Sequence, residues 1–304
     1  MKVLLAVDGS DYSEVAISLA RALGIGKKAE AAILTVIPEH VFLGGHTLTD
    51  LLGRSGVMNA EIQKAKEEKG FALLARLTKS LAAPGQEVEK MIRRGVPADE
   101  IVKACRSIQA DLVLVGVRGT GDSPEFLLGS VASKVIKYAP CSVLVARGKI
   151  EAVNRVLVPL DGSKHSDETV RFLLRMPLPP RAEVLAMVVL QSFAAQFVKA
   201  YTLDPERDRQ IVAELQKTEE EGAGRVLAEA RSQLRKGRYR VSTIVARGDP
   251  SREILREAAQ HNVDLIALGA KGLTGVRGFS LGSVAQRIAR YAKLPVLIVR
   301  SPKR

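Results

Sequence analysis

Tryptophan is absent from the 304 residues of this chain, and the aromatic residues are limited to 5 Tyr and 7 Phe. A platform of aromatic rings, on which the bases of single-stranded nucleic acid would stack, is therefore poorly supplied. The formal net charge is +13, with 46 Lys and Arg against 33 Asp and Glu. We interpret this charge as a solvated basic face and do not expect nucleic-acid binding.

Long apolar runs are also missing. The longest stretch without an ionisable side chain, Val184–Val198, has 15 residues and contains Gln191, Ser192 and Gln196. It is too short and too polar for a membrane span. Asp8 interrupts the apolar start of the chain and leaves no room for the apolar region of a secretory signal. We therefore expect a cytoplasmic protein with no membrane partner.

Cysteine and histidine are scarce as well. Cys105 and Cys141 form no Cys-x-x-Cys motif, and we interpret them as buried structural thiols. The histidines form no HExxH or other metal-binding spacing, so we do not expect a metal site built by protein ligands alone. The four histidines are His40, His46, His165 and His261.

An internal repeat with an offset of 153 residues organises the whole chain. It places Asp8-Gly9-Ser10 on Asp161-Gly162-Ser163, and Arg94-Gly95-x-Pro97 on Arg247-Gly248-x-Pro250. Within the last 37 residues of the repeat, 111–147 against 264–300, 15 aligned residues are identical. The sequence therefore predicts two copies of one domain, residues 1–148 and 154–304, joined by a short linker.

Apolar runs typical of buried strands alternate with helical patterns inside each copy. Strands separated by helices require right-handed crossovers and form a parallel sheet. The sequence thus predicts an α/β fold, with two repeats of a five-stranded doubly wound parallel sheet and helices on both faces. The strands predicted in the first copy are Val3–Val7, Ala31–Ile37, Glu87–Arg93, Leu112–Val115 and Ser142–Ala146, and the helices are Ser13–Leu23, Asn59–Leu81, Ala98–Ile108 and Ser130–Tyr138.

Glycines follow the fourth predicted strand at a fixed spacing. Gly116-x-x-Gly119, nine further residues and Gly129-Ser130 recur as Gly269, Gly272 and Gly282-Ser283. We call this spacing the fingerprint, and the segment that carries it, residues 116–130 or 269–283, the glycine loop. Glycine permits positive φ and close backbone approach, so successive amides can form a nest for phosphate oxygens. The serine begins a helix, whose free amides and positive end favour phosphate. This loop lies where doubly wound sheets bind ligands, outside the carboxyl ends of the strands.

Asp8 and Asp161 end the first strand of each copy, where a carboxylate could accept hydrogen bonds from ribose hydroxyls. In a single copy, Asp-Gly would more often be only a turn, and the serine only a helix N-cap. Recurrence of all these residues at identical spacing favours a ligand site. The pattern matches neither the P-loop nor the Rossmann fingerprint.

These residues resemble the ATP-binding branch of the universal stress proteins, in its tandem form. The resemblance implies the strand order 3-2-1-4-5, ATP with Mg²⁺ at the switch point of each copy, and the backbone of a strand-two valine at the adenine. The nucleotide-binding residues predicted are Asp8, Val36, Gly116, Arg118, Gly119, Gly129, Ser130 and Val131 in the first copy, and Asp161, Val189, Gly269, Lys271, Gly272, Arg277, Gly282, Ser283 and Val284 in the second.

The function implied by this resemblance is that of a nucleotide-dependent stress sensor or regulator. Phosphoryl transfer would need a metal and positioned charge, and the sequence offers only the loop cations Arg118, Lys271 and Arg277, with no dedicated general base. An ATP-hydrolysing or nucleotidyl-transferring enzyme of related fold is the alternative. Its Ser-Gly-Gly-x-Asp-Ser loop is not matched by residues 8–13. The resemblance also implies pairing through the last strands, which a tandem chain can make internally. Two such chains often associate further, which implies a homodimer of tandem chains.

The nine-residue segments between the glycines differ in charge. The segment after Gly119 carries Asp122 and Glu125 and no cation, whereas the segment after Gly272 carries Arg277 and no acid. Charges of opposite sign beside a triphosphate attract it and like charges repel it. The sequence therefore predicts tighter binding of triphosphate in the second copy.

Overall fold

The computed structural model describes residues 1–38, 42–43, 46–47, 56–83, 86–120, 127–148, 150–179, 181–191, 205–273 and 281–301. The chain divides into two compact units, a first unit over Met1–Ala152 and a second unit over Val153–Ser301. Within the described part of the chain, no helix is long and apolar enough to cross a membrane.

The first unit contains a five-stranded parallel sheet in the order β5-β2-β1-β6-β7. Counted along these five strands, this is the order 3-2-1-4-5 that the resemblance implied. Its strands are β1 (Lys2–Val7), β2 (Glu30–Ile37), β5 (Val88–Arg94), β6 (Leu112–Gly116) and β7 (Ser142–Ala146). Its helices are α1 (Asp11–Ala22), α2 (Gly56–Leu81), α3 (Pro97–Ser107) and α4 (Ser130–Tyr138).

The second unit repeats this architecture with the order β10-β9-β8-β11-β12. Its strands are β8 (Arg155–Leu160), β9 (Glu183–Leu190), β10 (Arg240–Arg247), β11 (Leu265–Gly269) and β12 (Val296–Val299). Its helices are α5 (Lys164–Arg175), α6 (Pro205–Arg235), α7 (Pro250–Gln260) and α8 (Ser283–Tyr291). The predicted fold class is therefore confirmed for both repeats.

The central strand of the first unit is apolar because helices cover both of its faces. Val3, Leu4 and Leu5 of β1 are fully buried, as expected for a parallel strand between two helical layers. Helices α1 and α2 contact each other on one face of the sheet, and α3 and α4 contact each other on the other. The corresponding helices of the second unit, α5 with α6 and α7 with α8, make the same pairs.

The structure differs from the predicted elements mainly between β2 and α2. Helix α2 begins at Gly56, three residues before the predicted start at Asn59. Two short antiparallel strands, β3 (Phe42–Leu43) and β4 (His46–Thr47), lie in a segment predicted to be irregular. The dipeptide between them in the sequence, Gly-Gly, is typical of two-residue hairpin connections, a signal that the sequence analysis overlooked.

The two cysteines lie on neighbouring elements of the first unit. Cys105 is in α3 and Cys141 immediately precedes β7, and both are free and buried. A hydrogen bond to Cys141, together with burial, raises the pKa of the Cys105 thiol. A buried thiol with a raised pKa is a poor nucleophile, which agrees with the interpretation of these residues as structural.

Candidate functional site

The strand order reverses between the first and fourth strands of each sheet. In the first unit β1 pairs with β6, with Val3 beside Leu112, and in the second unit β8 pairs with β11. Because parallel strands end at the same edge, the loop after the first strand lies beside the glycine loop. Both predicted motifs therefore meet at the switch point, where doubly wound folds bind ligands.

A hydrogen bond from the backbone to an aspartate joins these two loops in the first unit. Oδ2 of Asp8 accepts from the backbone N–H of Thr120 at 2.8 Å. Its other oxygen, Oδ1, accepts from the N–H of Ser10 at 3.0 Å and from the hydroxyl of Ser13 at 2.9 Å. The aspartate predicted to meet the ribose thus also fixes the position of the glycine loop.

The second unit repeats this link. Oδ2 of Asp161 accepts from the N–H of Leu273 at 2.9 Å, and Oδ1 accepts from the N–H of Ser163 at 3.0 Å. This role of the aspartates could not be predicted from the sequence, because the donor is a backbone amide. Any residue other than proline supplies that amide, and it comes from Thr120 in the first unit and from Leu273 in the second. Oδ1 of Asp8 also accepts from the Ser10 hydroxyl at 2.6 Å, so it already has three donors. Each carboxylate is exposed, and Oδ2 of each accepts one hydrogen bond from the described residues, so its second lone pair can accept from a ribose.

Positive φ angles occur one residue after each aspartate and not at the glycines expected to need them. Gly9 and Gly162 have φ of 81° and 76°. Gly129 and Gly282 have φ of −68° and −77° in the extended region, which any residue adopts. The expectation that positive φ explains the glycines of the fingerprint is therefore wrong at these two positions.

Close approach explains the first glycine of each fingerprint. A Cβ on Gly116 would lie 2.8 Å from Cβ of Tyr12, and a Cβ on Gly269 would lie 3.0 Å from Cβ of His165. Tyr12 and His165 occupy the same place in the repeat, in the first turn of α1 and α5. These glycines let that first helix pack on the end of the fourth strand.

The later glycines of the second unit differ from each other. A Cβ on Gly272 would lie 2.6 Å from Oδ2 of Asp161, so glycine there makes room for the link described above. A Cβ on Gly282 would have as its nearest described neighbours the Ala270 oxygen and Cα of Lys271, both at the ordinary contact distance of 3.5 Å. Neither φ nor packing against the described residues requires glycine at position 282.

The helices that follow Gly129 and Gly282 present uncapped N-termini. In the described part of the chain no side chain caps α4 or α8, and neither has an acidic residue in its first turn. By contrast, Asp249 caps α7 by accepting from the N–H of Arg252 at 3.0 Å. An uncapped first turn leaves the positive helix end available to an anion. The predicted residues of these two turns are Ser130, Val131, Ser283 and Val284.

Cationic side chains accompany the glycine loops. Nη1 of Arg118 donates to the Tyr12 hydroxyl at 3.3 Å, and its guanidinium lies 5.9 Å from the centre of the Tyr12 ring. Arg147, after β7, is 6% exposed, and burial and Arg118 lower its pKa to about 10. Sequence analysis did not single out Arg147, although the repeat aligns it with an identical Arg300.

Lys271 takes the place of Arg118 in the second unit. There it lies close enough to His165 to help lower the pKa of that imidazole, after the larger effect of burial and together with Lys164. Arg277 of the predicted site lies outside the described residues. Asp122 and Glu125 also lie outside the described residues. The predicted difference in triphosphate affinity depends on the charges of Arg277, Asp122 and Glu125, and it therefore stays a prediction.

The two valines predicted to contact adenine lie at the carboxyl ends of their strands, the edge of the sheet at which the glycine loops also lie. Val36 is the penultimate residue of β2 and pairs with Arg93, and Val189 is the penultimate residue of β9 and pairs with Ala246. Both are half-buried. Gly119, the remaining residue of the first site, immediately precedes the Thr120 amide that donates to Asp8.

Among the described residues, no group of three or more His, Cys, Asp or Glu is arranged to hold a metal ion.

The sequence matches the profile of the Universal stress protein family twice, over residues 1–147 and 152–300. The chain belongs to the universal stress protein family. A universal stress protein of Mycolicibacterium smegmatis is 27% identical over 312 residues, covering 98% of this chain and 96% of that protein. The universal stress protein YxiE of Bacillus subtilis is 33% identical over 146 residues, which is 48% of this chain and 98% of YxiE.

Solved structures with the universal stress protein fold cover the same length. The crystal structure of a universal stress protein from Archaeoglobus fulgidus superimposes with a TM-score of 0.62 and 21% identity, covering 98% of both chains. At this identity the likeness concerns the fold. The universal stress protein fold thus occurs twice in this chain, in agreement with the tandem form identified from the repeat.

Proposed function

We propose that each unit binds an adenine nucleotide, ATP with Mg²⁺, at the edge where its glycine loop meets its strand-end aspartate, and that the protein is a nucleotide-dependent stress sensor or regulator. The observation that carries the proposal is the uncapped N-terminus of α8 behind Gly282, where neither φ nor the described packing requires glycine. A phosphate that approaches the backbone closely gives that glycine its reason.

The remaining residues of the site suit the other parts of the nucleotide. In the first unit, the phosphates would lie on the first-turn amides of α4, the ribose at Asp8 and the adenine at the backbone of Val36. Arg118 would add positive charge near the glycine loop. Mg²⁺, held by the phosphates, would neutralise part of their charge. The link between Asp8 and the Thr120 amide fixes the loop before the nucleotide arrives, which lowers the entropy cost of binding.

A holding role fits this chemistry better than rapid turnover. The aspartate of each unit is already hydrogen-bonded to the glycine loop, and Arg118 to Tyr12. These contacts position a nucleotide, and none of them orients an attacking water. We therefore expect a slow rate of ATP hydrolysis at most. A cytoplasmic location, expected from the short apolar runs of the sequence, and a homodimer of tandem chains, implied by the family resemblance, stay predictions.

Nucleotide content and stoichiometry test the proposal. Acid release from freshly purified protein, followed by chromatography, should yield an adenine nucleotide. Titration calorimetry of nucleotide-free protein should give about two ATP per chain, one at the N-terminus of α4 and one at that of α8. Gly282→Val, which the extended backbone at φ −77° tolerates, should remove one of the two sites, and Gly129→Val the other. Unchanged stoichiometry and affinity in both variants would refute the proposal.

A further inference from the structure

The repeat allows the proposed nucleotide sites of the two units to be compared position by position, and one of the differences lies in the first turn of the helix after the aspartate. Position 12 of the first unit holds Tyr and the matching position 165 of the second holds His. Both residues lie in the first turn of the helix after the aspartate, with Cβ against the first glycine of the fingerprint. The second unit therefore has an imidazole, which can take up a proton, where the first has a phenol.

We propose that nucleotide binding to the second unit is coupled to uptake of a proton by His165, so that this site binds more tightly as the pH falls while the first site lacks this coupling. The inference rests on the proposed function, because it takes the ligand of the second unit to be a polyphosphate. It assigns to His165 a regulatory role that Tyr12 cannot perform.

Charged groups approach His165 from three directions. Lys164 precedes it on α5, Asp161 lies in the loop before α5, and Lys271 lies in the glycine loop after β11. From the end of β12, Oγ of Ser301 lies 3.4 Å from Nδ1 of the ring, and Arg300 immediately precedes Ser301. The imidazole thus lies half-buried near two lysines and one carboxylate.

This environment favours the neutral imidazole when no nucleotide is bound. Burial, Lys164 and Lys271 hold the pKa of His165 below its ordinary value, and Asp161 opposes them. A polyphosphate beside Lys271 would add several negative charges on that side, offset the lysine and favour the imidazolium. The proton comes from solvent, and no bond other than that N–H is formed.

The sign of the coupling follows from linkage. The nucleotide-bound protein holds the proton of His165 more strongly than the nucleotide-free protein does. Nucleotide affinity therefore rises as the pH falls through the pKa that His165 has in the bound protein. The gain in affinity is complete below the pKa that His165 has in the free protein. We expect ATP affinity of the second unit to rise on the order of fivefold, within the usual range of coupling between two ligands.

The matched control is already present in the chain, because tyrosine is accommodated at the same position of the first unit. Gly129→Val removes the first site from the measurement. In that background, ATP affinity of the His165 protein and of His165→Tyr is compared by calorimetry between about pH 8 and about pH 5.5, where an imidazole titrates. Protonation of ATP itself is common to both proteins and cancels in the ratio.

The expected result is a steeper rise in affinity for the His165 protein, with net proton uptake seen as a dependence of the binding heat on buffer ionisation. The NMR titration of the His165 ring should move to higher pH when ATP is added. Equal pH slopes in the two proteins, or a ring titration that ATP leaves unchanged, would overturn the coupling while ATP binding itself stands. Absence of ATP binding at every pH would instead refute the proposed function.

Discussion

Replacing Gly116 by alanine tests why the first glycine of the fingerprint is glycine. The added Cβ would lie 2.8 Å from Cβ of Tyr12 and 3.1 Å from the backbone oxygens of Tyr12 and Arg118. Atoms of this kind cannot swing away as the end of a long side chain can, so α1 must shift from the end of β6. Overpacking of a well-packed contact costs about 1 to 3 kcal/mol, or roughly 5- to 150-fold in the unfolding equilibrium.

Gly282→Ala is the matched control from the same fingerprint. Its Cβ would meet its nearest described neighbours at 3.5 Å, and its φ of −77° suits alanine. Such a replacement changes stability little, or raises it by about 0.4 to 1 kcal/mol because the unfolded chain loses freedom. The same methyl group lies where a phosphate would approach, so ATP binding to the second unit should weaken while stability is kept.

Hydrogen exchange read by mass spectrometry separates the effects on the two units, since each peptide belongs to only one of them. Gly116→Ala should speed exchange in β6 and in the first turn of α1 and leave the second unit unchanged, and urea unfolding should report the loss of stability. If Gly116→Ala were as stable as the parent protein, or if Gly282→Ala were destabilised equally, the assignment of the two glycines to different causes would be wrong.

Three further substitutions probe the contacts around the site. Asp161→Ala removes the acceptor that fixes the glycine loop. Calorimetry should then show an ATP affinity of the second unit that is lower by about tenfold, or about 1.4 kcal/mol. Unchanged affinity would contradict a role of the Asp161–Leu273 hydrogen bond in binding. Ser163→Ala removes the cap of α5 and should cost about 1 kcal/mol in urea unfolding, more than Ser10→Ala, since the Ser10 side chain does not cap α1. Arg247→Gln breaks the ion pairs with Glu219 and Glu220 on the protein surface and should cost at most about 1 kcal/mol, less at high salt. A larger cost would mean that these pairs are not screened by solvent.

Local pattern was sufficient to predict the five sheet strands and the helices of the first unit, but not the hairpin of β3 and β4. The strands of the first unit lie within two residues of their predicted bounds, because a parallel strand buried on both faces must be almost wholly apolar. The 153-residue repeat then extended the same order of sheet strands and helices to the second half of the chain. The fixed glycine spacing also indicated the edge of the sheet at which the candidate site lies.

The reason for each residue of that site was decided by tertiary contacts. Gly116 is glycine because Tyr12, more than a hundred positions away along the chain, packs on it, and Asp8 fixes the glycine loop through a backbone amide of Thr120. The surroundings of His165, with Lys271 and Ser301 near its ring, are likewise set by the fold. A sequence specifies which residue types are present and at what spacing. The distance between atoms far apart along the chain is set only when the strands have paired and the helices have packed. The same is true of the charges around a half-buried ring such as that of His165.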